Sequence, residues 1–193
     1  MRQTDKVSCV LASWNFGMLV RDALESLVNQ TIVPHKIIIA DDNSTDSSRE
    51  IFEEYIAKYP DLFVKSYNDI RLGTIANENK AAQLVETPWM FFMDSDDTLD
   101  LSYVEKCLSV VEEKDNKLAI VYSDMLKIGN WSGEWRVNEW DEEALWQANY
   151  INGHSVFRTD LFKEVGGLKE NAGFEDHKLW VDFISLRRGY YGS

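Results

Sequence analysis

The chain has 193 residues, of which 45% are apolar and 27% charged, with three prolines and ten glycines, a balance that excludes a disordered or fibrous protein. Its formal net charge of -13 argues against broad nucleic-acid binding, which needs a basic surface. The length suits one substantial core, and residues 1–193 are expected to form a single domain.

Taken in order, residues 7–12 form an apolar run suited to a buried strand, broken by the polar stretch 13–17. Between 19 and 28 the apolar residues fall at 19, 20, 23, 24, 27 and 28, the spacing of an amphipathic helix. An isoleucine-rich strand over 36–40 runs into Asp41-Asp42-Asn43-Ser44-Thr45-Asp46, which carries helix-capping chemistry. The helix that follows contains Ile51, Phe52, Tyr55 and Ile56 and stops near Pro60. A short strand is predicted at 62–64, a loop at 68–74 and a helix at 75–85, ended by Thr87-Pro88.

The next strand, 89–93, delivers Asp94-Ser95-Asp96-Asp97. A helix at 103–113 and a strand at 118–122 follow. Trp131, Trp135, Trp140 and Trp146 then crowd together; indoles either stack on sugar C–H faces or fill a core. The last elements are a strand at 153–158, a helix at 161–168, and a final helix entered through Glu175-Asp176. Strands alternate with helices throughout the first two thirds. The fold class is therefore α/β, with a mostly parallel sheet covered on both faces. Ligands gather at the carboxyl ends of such strands, where both acidic clusters lie.

Successive strand residues point to opposite faces. If strand geometry persists, Asp94 and Asp96 project together and Asp97 points elsewhere. Two carboxylates on one side suit a hard divalent cation, while a solvated turn is the plain alternative. Cys9 and Cys107 sit in apolar runs and read as buried thiols of a reducing compartment rather than a disulfide. No run reaches the ~18 apolar residues of a membrane span. The expected location is the cytoplasm, with peripheral association at the inner face of the membrane left open.

The ordered set of Val7 to Asn15, Leu24 to Thr31, Ile39 to Asp46, Asp94 to Asp97, Phe157-Arg158 through Gly166-Gly167, and Glu175-Asp176 with Leu179-Trp180 resembles the family 2 glycosyltransferases. These have the GT-A fold and transfer sugars from nucleotide diphosphate donors with inversion. The resemblance implies that Asp42 contacts the nucleotide base and that Trp14 lies against it. Asp94 would reach the ribose and Asp96 the metal, Mn²⁺ or Mg²⁺, with Asp97 able to replace either acid. Asp176 would be the general base, and Glu175, His154 and Trp180 would orient loops or meet a glycan or glycoconjugate acceptor.

Asn79 matches a donor-binding asparagine, but the family's preceding arginine is Glu78 here, so Arg71 or Lys80 is the expected substitute. A second departure is Asp182, where an arginine is common. Arg187-Arg188 offers either a phosphate grip or a solvated helix end. UDP is the expected nucleotide, and bacterial polysaccharide assembly the expected setting. The alternatives are a non-catalytic nucleotide-sugar-binding module and a sugar nucleotidyltransferase. The latter usually has a basic, glycine-rich loop after the first strand, which 13–17 lacks.

Overall fold

A computed structural model describes residues 2–114, 118–129, 132–170 and 174–186. Its six-stranded sheet has the order β3-β2-β1-β4-β8-β5. The parallel half consists of β1 (Val7–Ser13), β2 (Ile37–Asp41), β3 (Phe63–Tyr67) and β4 (Trp89–Asp94). β1, β2 and β4 form within a residue of the apolar runs that predict them, whereas β3 starts in its predicted run at 62–64 and continues through Lys65 to Tyr67. All seven residues of β1 are buried, as a central strand with both faces covered requires.

Side-chain alternation divides the core into two layers. Cys9, Leu11, Ile37, Ile39, Phe91 and Met93 face one layer, shared with α1 (Leu19–Val28), α2 (Ser48–Lys58) and α4 (Tyr103–Lys114). Val10, Ile38, Ala40, Met90 and Phe92 face the other, shared with α3 (Thr74–Ala82), α5 (Glu142–Gln147), α6 (Thr159–Val165) and α7 (Glu175–Leu186). Burying each large apolar side chain stabilises the fold by roughly 1.5–3 kcal/mol. Both cysteines are free and buried.

The second half departs from the predicted pattern. β8 (Val156–Arg158) enters antiparallel between β4 and β5 (Ile120–Val121), and both strands are shorter than expected. The region 130–150, predicted only as tryptophan-rich, contributes β7 (Gly133–Trp135), which pairs antiparallel with β6 (Met125–Lys127), and then α5. Asp141 caps α5 by accepting from the Ala144 N–H at 3.0 Å. Trp140 packs on the second core layer, Trp135 lies under the Lys127 ammonium, and Trp146 is 41% exposed. Trp131 and Arg187-Arg188 lie outside the described residues. No described helix is long and apolar enough to cross a membrane.

Candidate functional site

The parallel register brings three strand ends level. Ser13 pairs with Asp41 and Ala12 with Asp94, so the residues just beyond β1, β2 and β4 share one edge. A cleft of about 160 Å³ opens there, lined by Trp14, Asp42, Arg71, Thr74, Asn77 and Asp94.

The two acids after β2 do different work. Asp41 turns into the protein, where its Oδ2 pairs with Arg49 Nε at 2.5 Å and accepts from the Ser44 N–H. Asp42 turns to the cleft. Its Oδ1 accepts from Asn68 Nδ2 at 2.9 Å and the Leu72 N–H at 2.7 Å, and its Oδ2 from the Gly73 N–H at 2.8 Å. A carboxylate has about four acceptor positions, so Oδ2 retains one for a ligand. Gly73 has φ 87°, a left-handed conformation that glycine adopts freely, and it launches α3. Arg71 lies over Trp14 with its guanidinium carbon 3.3 Å from the ring centroid.

At the end of β4 the strand stops and the alternation fails. The Asp97 N–H donates to Asp94 O at 3.3 Å, and the buried Ser95 hydroxyl donates to Ala12 O at 2.7 Å. This turn brings the first and last of the three acids to one side. Asp97, not Asp96, therefore joins Asp94, and both face His154, whose Nε2 is 3.1 Å from Asp97 Oδ2 and 3.9 Å from Asp94 Oδ2. The expected Asp94 and Asp96 pairing gives way to this group. One ligand atom from each of Asp94, Asp97 and His154 lies within 4.8 Å of the others.

The charges are coupled. The His154 hydrogen bond holds Asp97 below the ordinary carboxylate range. Burial raises Asp94, with Asp96, Asp97 and Glu175 adding to the effect against the opposing pull of His154. Burial alone would lower His154, but the hydrogen bond to Asp97 and the neighbouring carboxylates outweigh it and raise the imidazole. Two carboxylates and an imidazole are a donor set that fits Mn²⁺, and Mg²⁺ less well because it prefers oxygen.

Asp176 begins α7. Its Oδ2 accepts from Asn149 Nδ2 at 2.8 Å and its Oδ1 from the His177 N–H at 2.7 Å. A Cβ on Gly153 would lie 3.9 Å from Asp176 Oδ2, so Asp176 borders the residue next to His154. Glu175 is half-buried beside it. Glu78 on α3 is buried, and burial, followed by the charges of Asp94, Glu175 and Asp176, raises its pKa to about 8.

Three expected site residues occupy other roles. Asn79 accepts from the Leu168 N–H at 2.8 Å and donates to Leu168 O at 2.9 Å, which commits its amide to the chain after α6. A Cβ on Gly167 would fall 2.4 Å from Asn79 Oδ1, so that contact requires glycine. Lys80 is held by Tyr67 O and Asn68 Oδ1. Trp180 is 2% exposed and packs against Phe157 and Phe183; it shapes α7 from inside the core and cannot meet an acceptor. Asp182 pairs with Lys169 and Lys178. Asp97 and His154 also line a larger cavity of about 640 Å³, walled by Leu99, Val110, Met125 and Leu126.

The profile of the family described as glycosyl transferase family 2 matches residues 8–166. The chain belongs to glycosyl transferase family 2. Within that family it is 29% identical over 193 residues to an uncharacterized glycosyltransferase of Mycoplasma pneumoniae, covering 95% of this chain and 64% of that protein. It is 32% identical over 123 residues to the chondroitin synthase of Escherichia coli, covering 64% of this chain and 18% of the synthase. The chain thus spans less than two thirds of the curated relatives it matches.

Among solved structures, residues 1–349 of S. aureus TarS in complex with UDP-GlcNAc superpose with a TM-score of 0.73 at 17% identity, over 92% of this chain and 52% of that one. A Pyrobaculum calidifontis mannosyltransferase in complex with GDP-Man and Mn²⁺ gives 0.75 at 14% identity, over 94% of this chain and 52% of its own. At these identities the likeness shows the fold, which is that of the GT-A glycosyltransferases.

Proposed function

We propose that this family 2 glycosyltransferase chain is a single catalytic domain that moves a sugar from a nucleotide diphosphate to a hydroxyl of a glycan or glycoconjugate, with inversion. The observation that carries this reading is the meeting of Asp94, Asp97 and His154 with Asp176 around Gly153, next to the Asp42 cleft. The neighbours that bind UDP-GlcNAc and GDP-Man support a nucleotide-sugar donor, and UDP-sugars are the first to test.

In this reading the Trp14 face and the free acceptor position of Asp42 Oδ2 receive the nucleotide base. Arg71, the cation that lines the described cleft, is within reach of the phosphates. Asp94, Asp97 and His154 hold Mn²⁺ or Mg²⁺, and the exposed Asp96 adds negative charge beside them. When bound, the cation neutralises charge developing on the departing nucleoside diphosphate. Asp176 accepts the proton of the acceptor hydroxyl as its oxygen attacks the anomeric carbon opposite the leaving group. Asn149 fixes the orientation of that carboxylate. Relatives such as chondroitin synthase and a poly(ribitol-phosphate) glucosyltransferase favour a role in polysaccharide assembly at the cytoplasmic face of a membrane.

The test is UDP release from a panel of UDP-sugars with Mn²⁺ and mixed oligosaccharide acceptors, with the product anomer read by NMR. Release that needs both Mn²⁺ and Asp176, with an inverted product, is the expected result. Retention of the anomeric configuration would overturn the mechanism. Glu78 and Asp182, the two departures from the family pattern, favour a second reading as a non-catalytic nucleotide-sugar-binding module. Binding without release from any donor would establish that reading instead.

A further inference from the structure

Glu78 is an acid that the transfer scheme leaves unused. It is 6% exposed on α3, and its carboxyl makes no hydrogen bond or ion pair with another described residue. Buried polar groups in folded proteins are nearly always partnered. Its neighbours on α3 follow the rule: Asn77 donates to Ala40 O at 2.7 Å, and Asn79 holds both backbone groups of Leu168. The side chains whose charges reach Glu78 are Asp94, Glu175 and Asp176, with no lysine or arginine among them. Among the described residues Glu78 is therefore not half of an ion pair.

Its place on α3 is informative, because Thr74, one turn before it on that helix, and the adjacent Asn77 line the cleft together with Asp94. Asp94 belongs to the group that holds the diphosphate end of the donor, and Asp176 serves the opposite side of the anomeric carbon. In the transfer reaction, the sugar being moved lies between those two points. We propose that Glu78 binds a hydroxyl of the transferred sugar and so determines which donor sugar the site accepts. This inference rests on the transferase reading above and deepens it.

A carboxyl suits the task in either protonation state. Ionised, it accepts from sugar hydroxyls; as the acid, it also donates to a sugar oxygen. The raised pKa agrees with the second form at neutral pH. A buried group that meets its partner only in the complex also discriminates strongly, because a sugar lacking the matching hydroxyl leaves it unpaired.

The test compares the affinity of the full chain for UDP with that for UDP-GlcNAc, UDP-glucose and UDP-galactose, by calorimetry with Mn²⁺. Wild type is set against Glu78→Gln, Glu78→Ala and Glu78→Leu. Leucine is included because it fills the buried volume and keeps the fold if alanine leaves a destabilising cavity. Wild type is expected to prefer one sugar. Both apolar variants should weaken that nucleotide sugar by about tenfold or more, erase the preference, and leave UDP itself within about twofold, while Glu78→Gln recovers most of the loss.

Equal weakening of UDP and UDP-sugar would make Glu78 structural and overturn the proposal. So would apolar variants that bind every ligand as wild type does. In either case wild-type binding stands, and the transferase reading stands with it. A wild type that binds no nucleotide or nucleotide sugar would remove both.

Discussion

The two halves of the sheet edge are built by different means. On the β1 to β4 side, buried parallel strands set the positions, and the polar groups are tied to one another. Asn68 donates to both Asp42 and Asn77, Asn77 donates to Ala40 O, and Lys80 donates to Asn68. On the side that follows, single long-range contacts place the functional groups: Asn149 to Asp176, Asn152 to Ser123 O, and His177 to Leu145 O. A nucleotide is the same in every turnover and suits a rigid cradle. An acceptor must arrive and leave, and a sparsely tied edge suits that. Damage to the first side should therefore appear in donor binding and stability, and damage to the second in turnover.

The largest effect is expected from the acceptor side. Asp176→Asn should lower transfer by about 10²–10⁴-fold, the scale of a general base, while leaving Mn²⁺-dependent UDP affinity intact. Steady-state rates and calorimetry on one preparation check this. Loss of UDP binding in that variant would mean that the two sides are not separate.

Next is pH. The folded state raises Glu78 from 4.5 to about 8, so the native protein holds a proton that the unfolded chain releases above pH 4.5. Stability of the metal-free protein should then fall as pH rises from about 4.5 to 8, by about 3–5 kcal/mol at most. His154, also raised, adds in the same direction: its contribution is present below its ordinary value of 6.5 and is lost as pH rises through the folded pKa. Asp97 is depressed, so its contribution is present above 3.8 and is lost as pH falls. Urea unfolding at pH 5 and 8 measures the slope, and Glu78→Gln should flatten it.

His154 comes from the second side but faces Asp94 and Asp97, so His154→Ala crosses the division and should cost Mn²⁺-dependent UDP affinity at least the ~10–100-fold that even outer contacts of metal sites are worth. Asn68→Leu should lower stability by about 1–3 kcal/mol, because Asp42 and Asn77 each lose a buried partner. It should also weaken UDP binding through Asp42, with the rate at saturating donor unchanged. A reduced saturated rate with normal UDP affinity would assign Asn68 to the wrong side.

The same division explains what was legible in the sequence. β1 to β4 announce themselves as apolar runs, and α1 by its spacing, because local pattern and tertiary burial agree there. Asp42 and Asp94 follow those strands and could be placed on one edge. The direction of β8 has no local signature. The β6–β7 hairpin is mostly exposed and carries no apolar alternation to reveal it. Asp97 replaced Asp96 beside Asp94 because the Ser95 turn ends the strand sooner than the acidic run suggested. His154 lies sixty residues from Asp94 and reaches it only through β8. Asn79 and Trp180 match a site pattern in sequence, but backbone bonding and core packing occupy their side chains.

The most direct measurement is calorimetric titration of UDP into wild type and Asp97→Ala, each with Mn²⁺ and again with EDTA. The expected result is binding by wild type only when Mn²⁺ is present, with that dependence lost in Asp97→Ala. Equal UDP affinity in all four titrations would contradict a donor site built on Asp94, Asp97 and His154.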